Sequence, residues 1–441
     1  MEEIPLVPRS RSLKRTFSFV HDPIPVFYDY IKDYGDSYYI YLGGIKKCLV
    51  TANPTIIRHV MQKNHKNYRK SEIQTRVLAQ YIGSGLLTSE GDYWLRQRRL
   101  IQPGFHKTRI KSLVSLIQEV VDQQLSKLNV QRGMTMDFYP IMLEIAFKVI
   151  GNAMFSSAAS PDELDKIESS ILEVQHFIIK RVRQPFMQPI YWLNGDMKKY
   201  KTVAENIEEI LLGIIRGRKQ LLEQPDDLLG MLINTRYEDT GEPMTEEQLL
   251  WESNILFVAG HETSANALSW MLYLIAKHPA IEDKLKKEIA KHIGNAALDF
   301  EVLMRMPYLN AIILETLRMY PPAWISDRVS VHDDVVNDMS IPKDTLIISL
   351  FYHAHHRENE WRDPKVFRPE RFIEDKNPSS YFPFGAGPRM CIGNNFAMLE
   401  MQIFLVQFYR QFSVDVTAQT NAEIEALITL KPKNGIILAL R

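Results

Sequence analysis

The chain contains two cysteines, and their sequence settings differ. Cys48 lies in the alternating, strand-like stretch "KKCLVTAN", which is typical of a small buried hydrophobic side chain. Cys391 lies in "FGAGPRMCIG", behind two glycines and an arginine and just ahead of a helix-like run. Two cysteines in 441 residues do not make a disulfide framework, and a reducing compartment keeps both as thiols. Cys391 therefore needs a different account from Cys48, and it is the first candidate for chemistry.

An acid and an alcohol stand side by side in the helix-like stretch "FVAGHETSANALSW". Gly260 costs about 1 kcal/mol in a helix interior relative to Ala, and His261, Glu262 and Thr263 follow it among apolar neighbours. A glycine there leaves room beside the helix and eases a local opening of its hydrogen-bond ladder, where a hydroxyl or a water can insert. The alternative is a kinked core helix in which Thr263 bonds back to its own backbone.

Charged residues of both signs recur near the C-terminal third of the chain. "AIILETLRMYPP" places Glu315 and Arg318 at i, i+3 on one helical face, and "FRPERF" supplies Arg371 in a loop-like segment. Taken alone, the first pair is a common surface ion pair that contributes little. If the loop folds back on the helix, the two guanidinium groups and the carboxylate form a buried cluster that pins the loop.

Helical patterns dominate the elements that must position these residues. The clearest helix opens at Thr245, where Thr245 and Gln248 make a capping box, and runs to Lys277 as a rod of about 48 Å. Strand patterns occur in "DSYYIYLGGIKKCLV", with a hairpin turn at Gly43 and Gly44, and in "DTLIISL". These patterns predict a mainly α fold with a minor β region.

Composition excludes several classes of protein. The formal net charge is zero, so no global field favours nucleic acid. Because no apolar stretch reaches the roughly 18 residues that span a bilayer, and no signal-peptide core is present, we expect a soluble cytoplasmic protein without a membrane anchor. Residues 1–20 form a basic segment that either touches an anionic membrane or is a solvated tail, and residues 21–441 are predicted to form a single domain.

Several of these motifs together resemble the cytochrome P-450 superfamily, in that family's order and spacing. They are the helix with "AGHET", the pair Glu315 and Arg318, the "PERF" loop, the Cys391 loop, and "WLRQRR" with Trp94 and Arg98 in the family's Trp-x-x-x-Arg position. The resemblance runs from about Pro23 to the C-terminus. The cysteine loop is highly specific, whereas Glu-x-x-Arg by itself is weak. The fold implied is the P-450 fold, with a long central helix that crosses the domain over heme.

The resemblance implies that heme b, iron protoporphyrin IX, is bound with Cys391 as the axial ligand, rather than that Cys391 is an inert buried cysteine. Phe384 would exclude water beside the sulfur, and Gly385, Gly387 and Gly393 would permit the backbone conformation of the loop. The heme propionates need cations, and the family's positions for these match Arg98, Arg328 and Arg389, with Trp94 beside Arg98 at the helical propionate site. A surface role is the alternative for Trp94, Arg98 and Arg328.

Glu262 and Thr263 match the family's acid-alcohol pair, which organises proton delivery during oxygen activation. Glu262 has the alternative of a structural ion pair. The chain ends soon after the ligand helix, so the expected electron source is a separate ferredoxin or flavodoxin with an NAD(P)H-dependent reductase. An acidic carrier would be steered by cations that are otherwise a solvated helix face: Arg96, Arg99, Lys107, Arg109 and Lys111.

The substrate is the least determined part. The family's pocket walls would here include the following residues, and for each of them a place on the surface or in the core is the alternative: Gln74, Gln80, Tyr81, Gln175, His176, His261, Trp324, Ser326 and Asp327. The reaction expected is insertion of one oxygen atom from O2 into a C–H bond of a small molecule. One substrate class is a methylated sugar, which would be O-demethylated, and the other is a fatty acid or terpenoid. A peroxide-driven peroxygenase and a non-catalytic heme-binding protein are the alternatives to a monooxygenase.

Overall fold

A computed structural model describes residues 4–44, 46–156, 158–293, 298–375 and 378–441. Its contacts divide the chain into two compact units. The first unit comprises Met1–Ser71, Leu314–Cys391 and Glu423–Lys433. The second unit comprises Glu72–Ile313, Ile392–Ala422 and Asn434–Arg441. The first three residues of the predicted basic segment lie outside the described residues.

The described chain is mainly α-helical with short strands, as the sequence predicts. The α-helices, numbered α1 to α20 in chain order, are Arg9–Lys14, Thr16–His21, Pro23–Tyr34, Pro54–Arg58, Ala79–Ile82, Gly91–Ile101, Lys107–Ile110, Val114–Ser126, Tyr139–Phe155, Pro161–Arg183, Gln188–Leu193, Asp196–Lys219, Leu228–Asn234, Glu246–Ala276, Pro279–His292, Phe300–Met304, Pro307–Met319, Phe351–Ala354, Arg371–Glu374 and Asn394–Gln411. The strands, β1 to β12, are Ser37–Leu42, Lys46–Thr51, Tyr68–Arg69, Thr135–Asp137, Ile325–Ser330, Asp334–Val336, Met339–Ile341, Leu346–Leu350, Val414–Val416, Ile424–Ala426, Leu430–Pro432 and Ile437–Leu440.

Short turns of other helical types connect these elements. The 3-10 turns are His65–Asn67, Gln102–Phe105, Lys111–Leu113, Asn129–Gln131, Pro185–Met187 and Gly387–Arg389, and the π turns are His59–Lys63 and Ile73–Leu78. Among the described residues, none of the helices combines the length and the apolar character that crossing a bilayer requires.

The first unit is built on a five-stranded sheet in the order β1-β2-β8-β5-β3. Strands β1 and β2 form the predicted antiparallel hairpin, and Gly43 and Gly44 both have positive φ, at 58° and 74°. Such angles suit glycine and match the right-handed twist of a hairpin. Strand β8 is the predicted "LIISL" strand and pairs with β2 in parallel. The hairpin and the later strand are therefore confirmed.

The described part of the N-terminal segment packs against this sheet. The Val7 N–H donates to Tyr39 O at 2.9 Å, the Tyr39 N–H donates to Pro5 O at 2.8 Å, and the Val7 side chain is fully buried. Arg11 forms an ion pair with Asp33. The expectation of a solvated tail is wrong for this part, because its backbone and apolar side chains find partners in the first unit.

A buried charge cluster lies within the first unit. The Glu315 carboxylate is fully buried and accepts from Arg318 Nε at 2.8 Å, from Arg318 Nη2 at 2.9 Å and from Arg371 Nε at 2.9 Å. The same carboxylate accepts from the Arg368 backbone N–H at 3.0 Å. The structure thus brings the predicted Arg–Glu–Arg set together, and the bonds attach the loop before α19 to helix α17.

The second unit is organised around α14, the predicted long helix. Gln248 N donates to Thr245 Oγ1 at 3.2 Å and Thr245 N donates to Gln248 Oε1 at 2.9 Å, which is the predicted capping box. The helix is regular from Glu246 to Ala276, without the local opening predicted at Gly260. A Cβ on Gly260 would lie 3.0 Å from the Ile150 side chain, so this glycine lets α14 approach α9 closely.

Candidate functional site

Cys391 ends a tight loop in the first unit, and its thiol is exposed. The Cys391 N–H donates to Phe384 O at 2.9 Å, which closes the loop. Gly385 and Gly387 have φ of 74° and 70°, angles that favour glycine, and a Cβ on Gly387 would lie 2.0 Å from Met61 O. Gly393 has an ordinary φ of −86°, so the expectation that it supplies an unusual backbone conformation is wrong.

The other cysteine has the opposite environment. Cys48 is fully buried in β2, and burial raises the pKa of its thiol to about 12. A thiol with that pKa stays protonated at neutral pH and does not bind a metal as a thiolate. The predicted contrast between the two cysteines, one buried and one available, is therefore present in the structure.

Helix α20 begins at Asn394, three residues after Cys391. Its first turn carries no side-chain cap, because Gly393 occupies the N-cap position. The backbone N–H groups of such a turn present partial positive charge, which favours an anionic group nearby. The predicted helix after the cysteine is confirmed.

The proposed propionate residues lie in both units. In the second unit, Trp94 and Arg98 are one turn apart on α6. Trp94 is buried, and the half-buried Arg98 donates through Nε to Gln102 Oε1 at 3.2 Å. In the first unit, Arg328 is buried on β5 and donates through Nη1 to Asp327 O at 2.6 Å, whereas Arg389 is half-buried beside the cysteine loop.

Helix α14 carries one accessible face within an otherwise buried stretch. From Glu252 to Ala276, the side chains are buried except at positions 258–260, 263 and 273. Ala259 is exposed and Thr263, one turn later, is half-buried, so the two share a face. A small residue and a hydroxyl on that face leave room for a flat apolar group to lie against the helix.

The Thr263 hydroxyl donates to Ala259 O at 2.7 Å, which is the back-bond that the structural interpretation of this residue expects. The bond uses the hydroxyl proton and leaves the oxygen able to accept a hydrogen bond from water. The adjacent Glu262 is buried at 7% exposure. The back-bond to the helix and a role of Thr263 in proton delivery are therefore compatible.

Sequence analysis missed a buried carboxyl group. It belongs to Glu400 of α20 and contacts helix α14. Ser264 Oγ donates to Glu400 Oε2 at 2.5 Å. Glu400 is fully buried, and burial raises its pKa to about 8 although the hydrogen bond from Ser264 acts in the opposite direction. No local pattern signals this contact, because it joins residues 136 positions apart.

Two of the residues predicted to touch substrate are buried within their own units. His261 is fully buried, packs edge-on against Phe147, and places Nε2 at 3.6 Å from Glu168 Oε1. Burial lowers the pKa of His261 to about 4, so its imidazole is neutral at neutral pH. Trp324 is buried in the first unit and donates through Nε1 to Leu427 O at 3.0 Å.

The other two predicted contacts lie on α10. Gln175 is half-buried, whereas His176 is exposed, with Nδ1 at 2.8 Å from Leu172 O. A substrate role for these four side chains stays a prediction.

A buried arginine on α10 was not singled out by sequence analysis. Arg181 is 6% exposed and donates through Nη1 to Gln80 Oε1 at 2.8 Å and to the Tyr81 hydroxyl at 2.7 Å. Arginine at the end of an amphipathic helix is usually a surface residue, so only the packing of the segment at residues 80 and 81 against α10 reveals this one.

Comparison with known proteins assigns the family. The cytochrome P450 family model matches residues 15–439. The chain is 30% identical to 11-oxo-beta-amyrin 30-oxidase of Glycyrrhiza uralensis, over 97% of this chain and 83% of that protein. It is 28% identical to echinocystic acid 23-monooxygenase of Saponaria officinalis, over 93% and 83%. It is 27% identical to leukotriene-B4 omega-hydroxylase 3 of Mus musculus, over 84% and 76%.

Solved structures agree with this assignment at the level of the fold. The crystal structure of the cytochrome P450DA heme domain matches with a TM-score of 0.88 at 20% identity, over 100% of this chain and 97% of that one. A variant of the same heme domain matches with a TM-score of 0.90 at 20% identity, over 100% and 98%. The fold is that of a cytochrome P450 heme domain. The chain belongs to the cytochrome P450 family.

Membership makes the protein a heme-dependent monooxygenase that uses O2 and electrons from a redox partner. Two observations fit the heme cofactor. The thiol of Cys391 is exposed at the end of a glycine-rich loop in the first unit. In the second unit, α14 leaves an accessible face at Ala259 and Thr263 against which a flat group can lie.

Proposed function

We propose that this chain hydroxylates a C–H bond of an apolar substrate, a fatty acid or a terpenoid, and that Cys391 would hold heme b through its thiolate. The observation that carries the proposal is the exposed Cys391 thiol, held in a loop whose Gly387 has no room for a side chain. When bound through a thiolate, heme would supply the activation of O2 and the insertion of one oxygen atom into the C–H bond.

The chain's own residues bind the cofactor and move protons. Phe384 would shield the sulfur from water, Arg98, Arg328 and Arg389 would neutralise the propionates of the bound group, and Trp94 would donate a hydrogen bond to a propionate. Thr263 accepts a hydrogen bond from water on the accessible face of α14, because its own proton is engaged with Ala259 O. Glu262, the residue before Thr263, supplies the acidic group from which a proton reaches that water.

The apolar substrate class has two lines of support. Within the second unit, Tyr81, Phe177, Ile178 and Ile255 form a buried apolar cluster against which Val258 of α14 packs. Val258 directly precedes the accessible face, so an apolar molecule on that face would meet apolar side chains. In addition, the names of similar proteins include beta-amyrin, echinocystic acid and leukotriene-B4 as molecules acted upon.

Three finer expectations stay predictions. None of the described contacts favours O-demethylation of a methylated sugar over hydroxylation. The type of redox partner, a ferredoxin or a flavodoxin with its NAD(P)H-dependent reductase, rests on the resemblance alone. The same holds for a cytoplasmic location without a membrane anchor.

The role of Cys391 is tested by Cys391→Ser. We expect the variant to lose the Soret band of the ferrous carbon monoxide complex that a thiolate ligand gives, because a hydroxyl does not replace the thiolate. Cys48→Ala is the matched control, and its spectrum should equal that of the wild type because the Cys48 thiol is buried and protonated. An unchanged spectrum for Cys391→Ser would remove the basis of the proposal.

The role of Thr263 is tested by Thr263→Ala. We expect product formed per electron pair to fall about tenfold and hydrogen peroxide release to rise, since a positioned group that moves a proton is lost. The matched control is Ser269→Ala, because Ser269 donates the same type of back-bond, to Ala265 O at 2.7 Å, from a fully buried position on the same helix. Equal effects of the two substitutions would show that the loss of activity comes from the lost hydrogen bond to the helix backbone, and not from a role of Thr263 in proton transfer.

The same assays separate the alternatives. A peroxygenase would turn over with hydrogen peroxide and show no response to Thr263→Ala. A non-catalytic heme-binding protein would give no product with any reductant or with peroxide. Either result would contradict the proposed monooxygenase reaction.

A further inference from the structure

The guanidinium of Arg181 is a buried cation that contacts neutral oxygens and an aromatic ring. Its two described hydrogen bonds both leave from Nη1 and end on neutral oxygens, Gln80 Oε1 and the Tyr81 hydroxyl. The guanidinium carbon also lies 5.4 Å from the centre of the Tyr81 ring. Among the residues that the structure describes, Arg181 has no carboxylate partner.

One edge of this guanidinium is not used by the protein. Nε is buried without an acceptor, and Nη2 makes no hydrogen bond to any described residue. Buried N–H groups of a cation are ordinarily satisfied, because each unmet donor loses its hydration without compensation. The Nε and Nη2 groups lie side by side in arginine and match the two oxygens of a carboxylate.

Three other buried arginines pair with a described carboxylate. Arg218, in the same unit, is 3% exposed and donates to both oxygens of Asp227, at 2.7 Å and 2.9 Å. Arg318 and Arg371, in the first unit, share the Glu315 carboxylate. Arg181 differs from these three in that its counter-ion is not among the described side chains.

The location of Arg181 connects it to the apolar cluster of the second unit. Tyr81, which holds the guanidinium, belongs to the cluster that also contains Ile255 and contacts Val258. Val258 stands beside the accessible face of α14 at Ala259 and Thr263. The apolar cluster therefore has a cation, Arg181, beside its residue Tyr81, and the accessible face of α14 beside Val258. This arrangement suits a molecule with one anionic group and an apolar body.

We propose that Arg181, positioned by Gln80 and Tyr81, binds the carboxylate of the substrate through its Nε and Nη2 edge. This inference rests on the proposed function and narrows its substrate class to apolar acids. The carboxylate would supply the counter-ion that the described residues do not, and the apolar body would extend through the cluster toward α14. Arg181 is thus a residue that determines which acid is bound and how it is oriented, without a part in the chemical step.

The test compares an acid with its ester, using dodecanoate and methyl dodecanoate as probes. Each is titrated into the heme-loaded full chain, and binding is followed by the Soret shift and independently by calorimetry. For the wild type we expect dodecanoate to bind more tightly than the ester by roughly 10- to 100-fold, the range for hydrogen bonds to a charged group. Arg181→Gln should remove that preference and leave the dissociation constant of the ester unchanged.

Two further variants make the result specific. Lys180→Gln removes an exposed positive charge from the neighbouring position of α10 and should keep the preference, which excludes general electrostatic attraction. Arg181→Lys keeps the charge but lacks the paired N–H groups that bind both carboxylate oxygens. It should reduce the preference for the acid over the ester by about tenfold. If Arg181→Gln does not incorporate heme, Arg181→Lys provides the test of the proposal in its place.

The outcomes are distinguishable. If acid and ester bind equally well to the wild type, or if Arg181→Gln keeps the preference, the role of Arg181 is overturned while the apolar substrate class stands. If neither probe nor a terpenoid acid and its ester bind to the wild type, both the role of Arg181 and the proposed substrate class are overturned.

Discussion

At the scale of single residues, Glu400 shows how burial sets a protonation state. Burial raises its pKa to about 8 from an ordinary value of 4.5. Between those pH values, the folded chain keeps a proton that the unfolded chain releases. The free energy of unfolding therefore falls as pH rises through this window, by up to about 1.4 kcal/mol per pH unit.

The substitution Glu400→Gln tests this assignment. Because glutamine does not titrate, we expect the free energy of unfolding of the variant minus that of the wild type to be larger at pH 8 than at pH 5 by about 3.5 kcal/mol. Urea denaturation at the two pH values measures the difference, with the exposed Glu374→Gln as the control. Parallel changes of wild type and Glu400→Gln with pH would contradict a buried neutral carboxyl.

Also at this scale, the two members of the acid-alcohol pair are placed differently. Thr263 stands on the accessible face of α14, whereas Glu262 is buried. Under the proposed function, the hydroxyl on the face and the adjacent acid would give a path along which a proton passes from the protein to water. The assays described above for Thr263→Ala and Ser269→Ala separate this role from a purely helical one.

At the scale of elements, the Glu315 cluster attaches a loop to a helix within the first unit. Removal of one member of a buried ion cluster leaves uncompensated buried charge, which costs more than the whole cluster contributes. We expect Glu315→Gln to lower the free energy of unfolding by about 3 to 5 kcal/mol, as measured by urea denaturation followed by far-ultraviolet circular dichroism.

The matched control for this prediction is Glu374→Gln. Glu374 accepts from Arg368 at 3.1 and 3.2 Å, but the pair is exposed, so its loss should cost less than about 1 kcal/mol. A loss at Glu315 no larger than the loss at Glu374 would mean that the cluster does not hold the loop.

At the scale of the whole molecule, the distribution of charge bears on the redox partner. Of the five cations predicted to receive an acidic carrier, three form ion pairs: Arg96 with Asp239, Arg109 with Asp226, and Lys111 with Glu301. Arg99 and Lys107 are exposed and have no ion pair among the described residues. These two are the better candidates for steering a partner, because a paired charge presents a weaker field.

We expect the double substitution Arg99→Glu and Lys107→Glu to slow reduction by an acidic ferredoxin about tenfold at low ionic strength. The difference should shrink at high salt, because screening weakens steering between exposed charges. Stopped-flow reduction of the ferric protein measures the rate, and reduction by dithionite should not change. Lys32→Glu with Lys343→Glu makes the same change of net charge elsewhere, and an equal effect of this control pair would exclude a specific docking surface.

The sequence by itself determined the features that are local along the chain. The cysteine loop, the capping box at Thr245, the glycine turn of the first hairpin and the helix after Cys391 each depend on residues within about ten positions of one another. Conformational preferences and hydrogen bonds at that range are set by residue type and spacing. The same holds for the motifs through which the family was recognised.

Only the tertiary structure decided which side chains are available and which are paired. It placed His261 in the core and Ala259 on the accessible face, although they are two residues apart on one helix. It also assigned Gly260 to helix packing, where the sequence predicted an opening of the helix. Arg181 was found through Gln80 and Tyr81, about 100 positions away. Burial and pairing depend on contacts between segments distant in the chain, and local spacing does not carry that information.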